Sequence, residues 1–378
     1  MTNRRTRRIV LAGTLAALVV GTAACSTAMD TASSSNAEST AGAAADTSAD
    51  SPTLEELVAE VQDQFQQFTY TDPTTGTTMS YNLYLPADYD ASQSYPLVTY
   101  IADSSQVGDD PTIPLSQYGA LIWASAEQQA EQESIVLVPA YPEVILDDHG
   151  SYTTTEYVEM TAGLIESVTG EYSVDPDRVY GTGQSMGAMT TMLLAAEHPD
   201  LFAAELIVSG QWDVSTLADL AGENFIYTAA AGDANASGGQ TEVQAMLDAA
   251  GVDYSAATEW DATWSAEELE AAAAELLAEG SSINFATFAE GTVLEASGSS
   301  STDSSDAADG GTGTAPSGAS GMPEPPSGED GTGTPPSGMS GPPAGAAGGG
   351  GSSSEHMASF QPAYQIAALR DWLFEQTA

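Results

Sequence analysis

The chain has 378 residues and a very uneven charge balance, with 54 acidic residues against 6 Lys and Arg and a net charge of −48. A surface of this sign repels nucleic acid and anionic lipid headgroups, which excludes nucleic acid as a partner and disfavours anionic substrates. The single cysteine excludes an intramolecular disulfide.

The N-terminus has the pattern of an exported lipoprotein. Four arginines precede an apolar run at residues 9–20, which is short for a membrane span, and Thr-Ala-Ala-Cys at 22–25 resembles a bacterial lipobox. We therefore predict a signal peptide at 1–24, a lipid on Cys25 and an extracytoplasmic location at the cell membrane. An uncleaved signal anchor is the alternative, and both the secretory and the twin-arginine export routes fit.

Residues 25–52 are predicted to join the lipid to the folded domain. Their Ser-, Ala- and Thr-rich composition is typical of a flexible tether. After Cys25 only Arg178 and Arg370 are basic, so 2 minus 54 gives the mature chain a charge of −52. Lipidation of Cys25 would also leave no thiol nucleophile.

From residue 53 onward helical and strand-like patterns alternate, which predicts an α/β fold with a mostly parallel sheet covered by helices on both faces. The predicted helices are residues 54–61, 158–168, 188–197, 242–250, 266–278 and 368–374, and the predicted strands are 79–85, 96–101, 135–138, 178–182, 205–208, 224–232 and 283–288. One domain at 53–378 follows. A Gly-, Ser- and Pro-rich segment at 296–353 interrupts it and is predicted to be disordered, so we expect folding to survive deletion of residues 298–352.

The pentapeptide Gly-Gln-Ser-Met-Gly at 183–187 lies between a predicted strand and a predicted helix, which is the context of a nucleophile elbow. In such a turn a strained backbone projects the serine hydroxyl above the end of the sheet, and the flanking glycines avoid Cβ clashes. Ser185 is therefore the predicted nucleophile, against the alternative of a merely structural turn. The Met186 N–H is a predicted oxyanion donor, and Gln184 is a predicted pocket residue.

An activated serine needs a general base, and the chain offers His149, His198 and His356. His149 precedes the serine, against the usual order of serine, acid and histidine on this fold. His198 ends the helix that Ser185 begins, roughly 15 Å away at 1.5 Å per residue. His356 is the predicted base.

The acid that orients this imidazole should follow a strand between the serine and the histidine. Asp233 follows the strand at 224–232 and is the leading candidate, with Asp213, Asp253 and Asp261 as rivals. Residues 233–238 also resemble the first half of a calcium-binding loop, but Gln244 stands where that loop needs a bidentate glutamate. We therefore predict neither a metal nor a cofactor.

The second oxyanion donor should come from the loop after the strand at 96–101, where residues 102–105 read Ala-Asp-Ser-Ser. Asp103 is the candidate, provided that its carboxylate points away from the developing charge. Trp212, which follows the strand after the elbow, is either a pocket residue or a core residue.

Three stretches resemble α/β-hydrolases of the prolyl-oligopeptidase-like or polyhydroxybutyrate-depolymerase-like esterase group. They are the opening strand Tyr-Asn-Leu-Tyr-Leu-Pro at 81–86, the elbow segment 174–187 with His-Pro-Asp-Leu-Phe-Ala at 198–203, and Glu355-His356 with the closing helix at 368–374. The resemblance implies hydrolysis of esters or peptides. Many relatives carry His-Gly where this chain has Ala102-Asp103, which opens a further alternative, a surface-binding protein without turnover.

The sequence thus predicts a lipid-anchored serine hydrolase acting on small or polymeric carboxylic esters through Ser185, His356 and Asp233. A peptidase of the same fold and a binding protein are the alternatives. The natural substrate and the oligomeric state stay open.

Overall fold

A computed structural model describes residues 51–148, 150–298 and 352–378. The predicted signal peptide, Cys25, the tether, His149 and nearly all of the predicted insertion lie outside the described residues.

The described chain alternates between strands and helices. The strands are β1 (Gln66–Thr71), β2 (Thr78–Tyr84), β3 (Tyr95–Ile101), β4 (Ile135–Ala140), β5 (Leu146–Asp147), β6 (Thr153–Thr154), β7 (Val174–Gln184), β8 (Ala204–Val208), β9 (Phe225–Ala230), β10 (Ser255–Trp260) and β11 (Ile283–Phe288). The helices are α1 (Leu54–Val61), α2 (Tyr118–Leu121), α3 (Ala126–Glu131), α4 (Glu156–Glu171), α5 (Met186–Glu197), α6 (Ala234–Ala250), α7 (Ala266–Leu277), α8 (Thr292–Ala296), α9 (Ser352–Ala358), α10 (Phe360–Gln365) and α11 (Ala367–Glu375).

Nine strands form one sheet in the order β1-β2-β4-β3-β7-β8-β9-β11-β10. From β4 to β10 every neighbouring pair is parallel, while β1 with β2 and β2 with β4 are antiparallel. The carboxyl ends of the parallel strands share one edge, which is where α/β folds form their sites. The short strands β5 and β6 make a separate hairpin.

Two hydrophobic cores lie on opposite faces of this sheet. Side chains alternate along a strand, so Leu206 and Val208 face the core under α1, α2, α7 and α11, while Ile207 faces the core under α4, α5 and α6. Buried strands that are apolar on both faces are typical of a parallel sheet covered by helices. Within the described ranges, every helix is too short or too polar to cross a lipid bilayer.

This architecture confirms the predicted fold class. The helix predicted at 242–250 begins earlier, at Ala234, because the Asp233 side chain caps its N-terminus by accepting from the N–H groups of Asn235 and Ala236. The pattern missed the edge strands β1 and β10, whose side chains are largely exposed. In β1 only Phe68 and Tyr70 alternate with polar residues, which is too short a signal, and β10 has no alternation. It also missed α9, which carries His356.

Candidate active site

Ser185 occupies a tight turn between β7 and α5, with φ 53° and ψ −117°. A positive φ is strained for a residue with a Cβ, and such strain persists only where the surroundings enforce it. The backbone at the end of β3 does so, because a Cβ at Gly187 would overlap the carbonyl oxygen of Ile101 and a Cβ at Gly183 would overlap the backbone of Gly187. The two glycines therefore let the elbow pack directly against β3.

The structure brings the three predicted catalytic side chains into one hydrogen-bonded chain. The Nε2 of His356 lies 2.8 Å from the Ser185 Oγ. The Nδ1 of the same ring lies 2.6 Å from the Asp233 Oδ2. The serine follows β7, the aspartate follows β9 and the histidine lies on α9. The serine and the histidine are 171 positions apart in the chain. With a proton on Nδ1, the ring presents an acceptor to the hydroxyl, which is the tautomer that a general base needs.

Asp233 is held by the helix that it caps. Its Oδ1 accepts hydrogen bonds from the N–H groups of Asn235, at 3.2 Å, and Ala236, at 3.3 Å. These two bonds fix one oxygen of the side chain at the helix N-terminus and leave the other, Oδ2, facing the imidazole. The rivals Asp213, Asp253 and Asp261 have no hydrogen bond to His356 in the described chain, and Asp213 instead caps a short 3₁₀ turn.

The loop after β3 turns the Asp103 carboxylate inward. Its Oδ1 accepts from the Ser105 N–H at 2.7 Å, and its Oδ2 accepts from the side-chain amides of Gln117 and Gln184, the latter at 2.9 Å. Asp103 is buried and does not line the cleft described below, whereas the next residue, Ser104, does. The charge that would oppose an oxyanion is therefore turned away. Met186 lines the cleft as the first residue of α5, where N–H groups have no intrahelical acceptor.

A cleft of about 480 Å³ opens above the serine. Its lining residues are Ser104, Val144, Leu146, Asp147, Asp148, Ser185, Met186, Met189, Gln211, Asp233, Asn235 and His356. Met189 could have been anticipated, since it lies one helical turn beyond Ser185 on α5. Two lining acids, Asp147 and Asp148, come from the hairpin of β5 and β6. The sequence pattern carries no signal for this hairpin.

The two residues predicted to form the pocket do not line this cleft. Gln184 is buried and its amide binds Asp103, so it supports the β3 loop. Trp212 is also buried, and the Tyr152 ring packs edge-on against it with a centroid distance of 5.1 Å. The residue before the tryptophan, Gln211, faces the cleft and donates to Asp148.

The remaining described histidine lies away from the cleft. His198 Nε2 is 3.1 Å from Glu159 Oε2, and Glu197 completes the one group of potential metal ligands found among the described residues. Residues 233–238, considered above as part of a calcium loop, are instead the cap and first turn of α6.

The family profile described as "Putative esterase" matches residues 73–283, which contain the elbow and Asp233. The chain belongs to this esterase family. The membership confirms the resemblance to α/β-hydrolase esterases that the elbow segment indicates. A solved structure described as a thermostable esterase supports the same fold, with a TM-score of 0.57, 20% identity, and coverage of 84% of this chain and 64% of that one.

Curated relatives of this chain match over short segments. "Putative esterase NocK" of Nocardia uniformis subsp. tsuyamanensis is 46% identical over 54 residues, covering 14% of this chain and 16% of that protein. Poly(3-hydroxyalkanoate) depolymerase C of Paucimonas lemoignei is 40% identical over 47 residues, covering 12% and 11%. Feruloyl esterase B of Talaromyces funiculosus is 35% identical over 98 residues, covering 26% and 25%. The chain thus spans no more than about a quarter of the length of these relatives.

Proposed function

We propose that this protein is a serine hydrolase that cleaves carboxylic esters through an acyl-enzyme. The observation that carries the proposal is the hydrogen-bonded chain from Ser185 through His356 to Asp233 on the floor of a cleft. An esterase family profile that covers the elbow supports it.

In this mechanism His356 takes the hydroxyl proton while the Ser185 Oγ attacks the ester carbonyl, and the proton then passes to the departing alcohol. Asp233 keeps the imidazole in the Nδ1–H form and stabilises its charged form. The Met186 N–H and an N–H of the loop at Asp103 and Ser104 receive the oxyanion. Water, activated by the same imidazole, completes hydrolysis of the acyl-serine.

The lining of the cleft favours neutral esters. Val144, Leu146 and Met189 offer apolar surface for an acyl or alcohol group, and Asp147 and Asp148 also line the cleft. Together with the overall charge of −48, these acids disfavour anionic substrates. Feruloyl esters and poly(3-hydroxyalkanoates), taken from the names of two relatives, are therefore suitable first substrates.

A fluorophosphonate probe and a panel of aryl esters test the chemistry. We expect the wild type to be labelled covalently and to hydrolyse short-chain p-nitrophenyl esters, because both reactions need an activated serine. Ser185→Ala should abolish labelling and lower kcat by about 10⁴-fold or more.

Matched controls separate the alternatives. Ser104→Ala changes another cleft serine and should retain labelling. Hydrolysis of peptide p-nitroanilides faster than of the esters would identify a peptidase, and wild-type protein that is silent towards probe and esters would favour a binding protein.

We further propose that the enzyme is exported and held at the cell membrane by a lipid on Cys25. The lipobox-like residues 22–25 after an apolar run support this. Expression in bacteria fed an alkyne fatty acid should give a labelled protein that partitions into detergent, and Cys25→Ser should remove both properties. Equal labelling of the variant would contradict the proposal.

A further inference from the structure

Glu355, the residue before the proposed base, is buried against two turns at the carboxyl edge of the sheet. The residue is only 6% exposed, unusually low for a glutamate. Its Oε1 accepts a hydrogen bond of 3.1 Å from the N–H of Gly291, the N-cap residue of α8, after β11. Its Oε2 is buried without a hydrogen-bond partner among the described residues.

The same carboxyl group lies flat on Gly232, the residue before Asp233. A Cβ built on Gly232 would overlap Oε1, Oε2 and Cδ of Glu355, and these are the three nearest atoms. Gly232 is not among the residues with positive φ, so its backbone conformation would tolerate alanine. An alanine at position 232 would therefore clash with the Glu355 carboxyl group and not with its own backbone conformation.

The residues that follow Glu355 and Gly232 in the chain are the proposed base and the proposed acid. Glu355 precedes His356 on α9, and Gly232 precedes Asp233, so a contact between Glu355 and Gly232 joins the chain segments on which the 2.6 Å bond between imidazole and carboxylate depends. The other end of α9 is held separately, because Ser359 Oγ donates to the His356 carbonyl and lies 2.7 Å from Ser209 Oγ.

We propose that Glu355 is a positioning residue, which locks α9 onto the turns after β9 and β11 and thereby sets the His356 ring between Asp233 and Ser185. Only the expected effect on kcat rests on the proposed function. The geometry of the ring is measurable without turnover. A buried polar anchor at this position has a clear use, since the sequence just before α9 is rich in Gly and Ser and poor in large apolar residues.

The first experiment reads the imidazole directly. Two-bond ¹H–¹⁵N spectra of ¹⁵N-labelled protein report the tautomer of each histidine, and His356→Gln assigns the resonance among the three histidines. We expect the Nδ1–H tautomer in the wild type and its loss in Glu355→Ala, because the ring no longer faces Asp233 in fixed register. Glu295→Ala, at an exposed position on α8, is the matched control and should leave the spectrum unchanged.

The second experiment uses the glycine as the reciprocal probe. Glu355→Ala and Gly232→Ala should each lower kcat by about 10–100-fold, the range seen when the residues supporting a site are removed, with KM changed less than about twofold. Adding Gly232→Ala to Glu355→Ala should cost almost nothing more, because the carboxyl that alanine would meet is gone. Gly238→Ala, where a Cβ meets no atom within 4 Å, is the control glycine.

A conservative variant separates loss of positioning from loss of folding. Glu355→Gln keeps the shape and one acceptor, so it should fold if Glu355→Ala does not and should retain more activity. An unchanged tautomer in Glu355→Ala, or in Gly232→Ala if Glu355→Ala does not fold, would overturn the role of Glu355. A wild type without the Nδ1–H form, or full additivity of the two alanine changes, would overturn it as well. If the tautomers behave as expected but the wild type does not react with fluorophosphonate, the proposed function is wrong and the positioning role of Glu355 is still supported.

Discussion

Two carboxyl groups at the amino end of the sheet are the most strongly perturbed acids in the described chain. Glu205 on β8 is fully buried, both of its oxygens lack hydrogen-bond partners there, and burial raises its pKa well above 4.5. Burial also raises the pKa of Glu223, to about 7, and Asp200 and Asp219 add to the shift. Each group is therefore easier to protonate in the folded protein than in the unfolded chain.

Stability should consequently fall as the pH rises. Above pH 4.5 the unfolded chain loses protons that the folded protein keeps, so the free energy of unfolding decreases through pH 7 and, because of Glu205, beyond it. We expect Glu205→Gln to stabilise the protein by at least about 1 kcal/mol more at pH 8 than at pH 5, since glutamine needs no proton to stay neutral. Urea unfolding at both pH values measures this.

A matched variant is Glu131→Gln, at an exposed site at the end of α3. Equal effects of Glu205→Gln at the two pH values would contradict burial of a protonated glutamic acid.

At the scale of elements, the elbow is a packing unit of three pieces: the end of β7, the start of α5 and the end of β3. Gly187 sits where α5 approaches the carbonyls of Ile101 and Ala102. The opposing atoms belong to the backbone of a central strand, so they cannot turn aside as a flexible side chain would. The conformation of Ser185 thus depends on a close approach between elements that are far apart in the chain.

Gly187→Ala should therefore be among the most damaging single changes in the domain. We expect a loss of about 3 kcal/mol or more, or no folded protein, because overpacking against fixed backbone exceeds the usual cost of an added methyl group. Thermal unfolding and probe labelling measure the effect. Gly222→Ala, where a Cβ meets no atom within 4 Å, should lower Tm by far less, and a similar loss in both variants would refute this explanation.

For the whole molecule, nine of the described strands form one sheet with a hydrophobic core on each face, although residues 299–351 are not among the described residues. The last described residue before this segment follows α8, and the chain resumes at α9, two elements that pack against each other. The entropy cost of closing a loop grows slowly with its length, so the domain needs little from the residues between.

We expect a chain in which a Gly-Ser linker of about 10 residues replaces 299–351 to unfold cooperatively, with a Tm within a few degrees of the wild type, and to react with the probe at a similar rate. Loss of soluble expression would contradict this. Cooperative folding with lost labelling would instead show that the segment contributes to the site.

Local sequence signals predicted much of the fold and the candidate site. The elbow pattern and the small number of histidines singled out Ser185 and His356, and the end of a late strand favoured Asp233, because each inference needs only neighbouring residues and the chain order of the fold. The buried strands β3, β4, β9 and β11 were predictable from apolar runs. The edge strands were not, because each has only one partner strand and mostly exposed side chains, which leave too few apolar positions to show a period.

What only the tertiary structure decided are the contacts across the sheet edge. Gln211 rather than Trp212 faces the cleft, the Asp103 carboxylate turns inward to two glutamines, and Glu355 rests on Gly232. The sequence by itself determined the chemical groups and their order along the chain, since these follow from residue type and local periodicity. Which side chain occupies a given space depends on the packing of segments that lie far apart in the chain, and no local pattern encodes that.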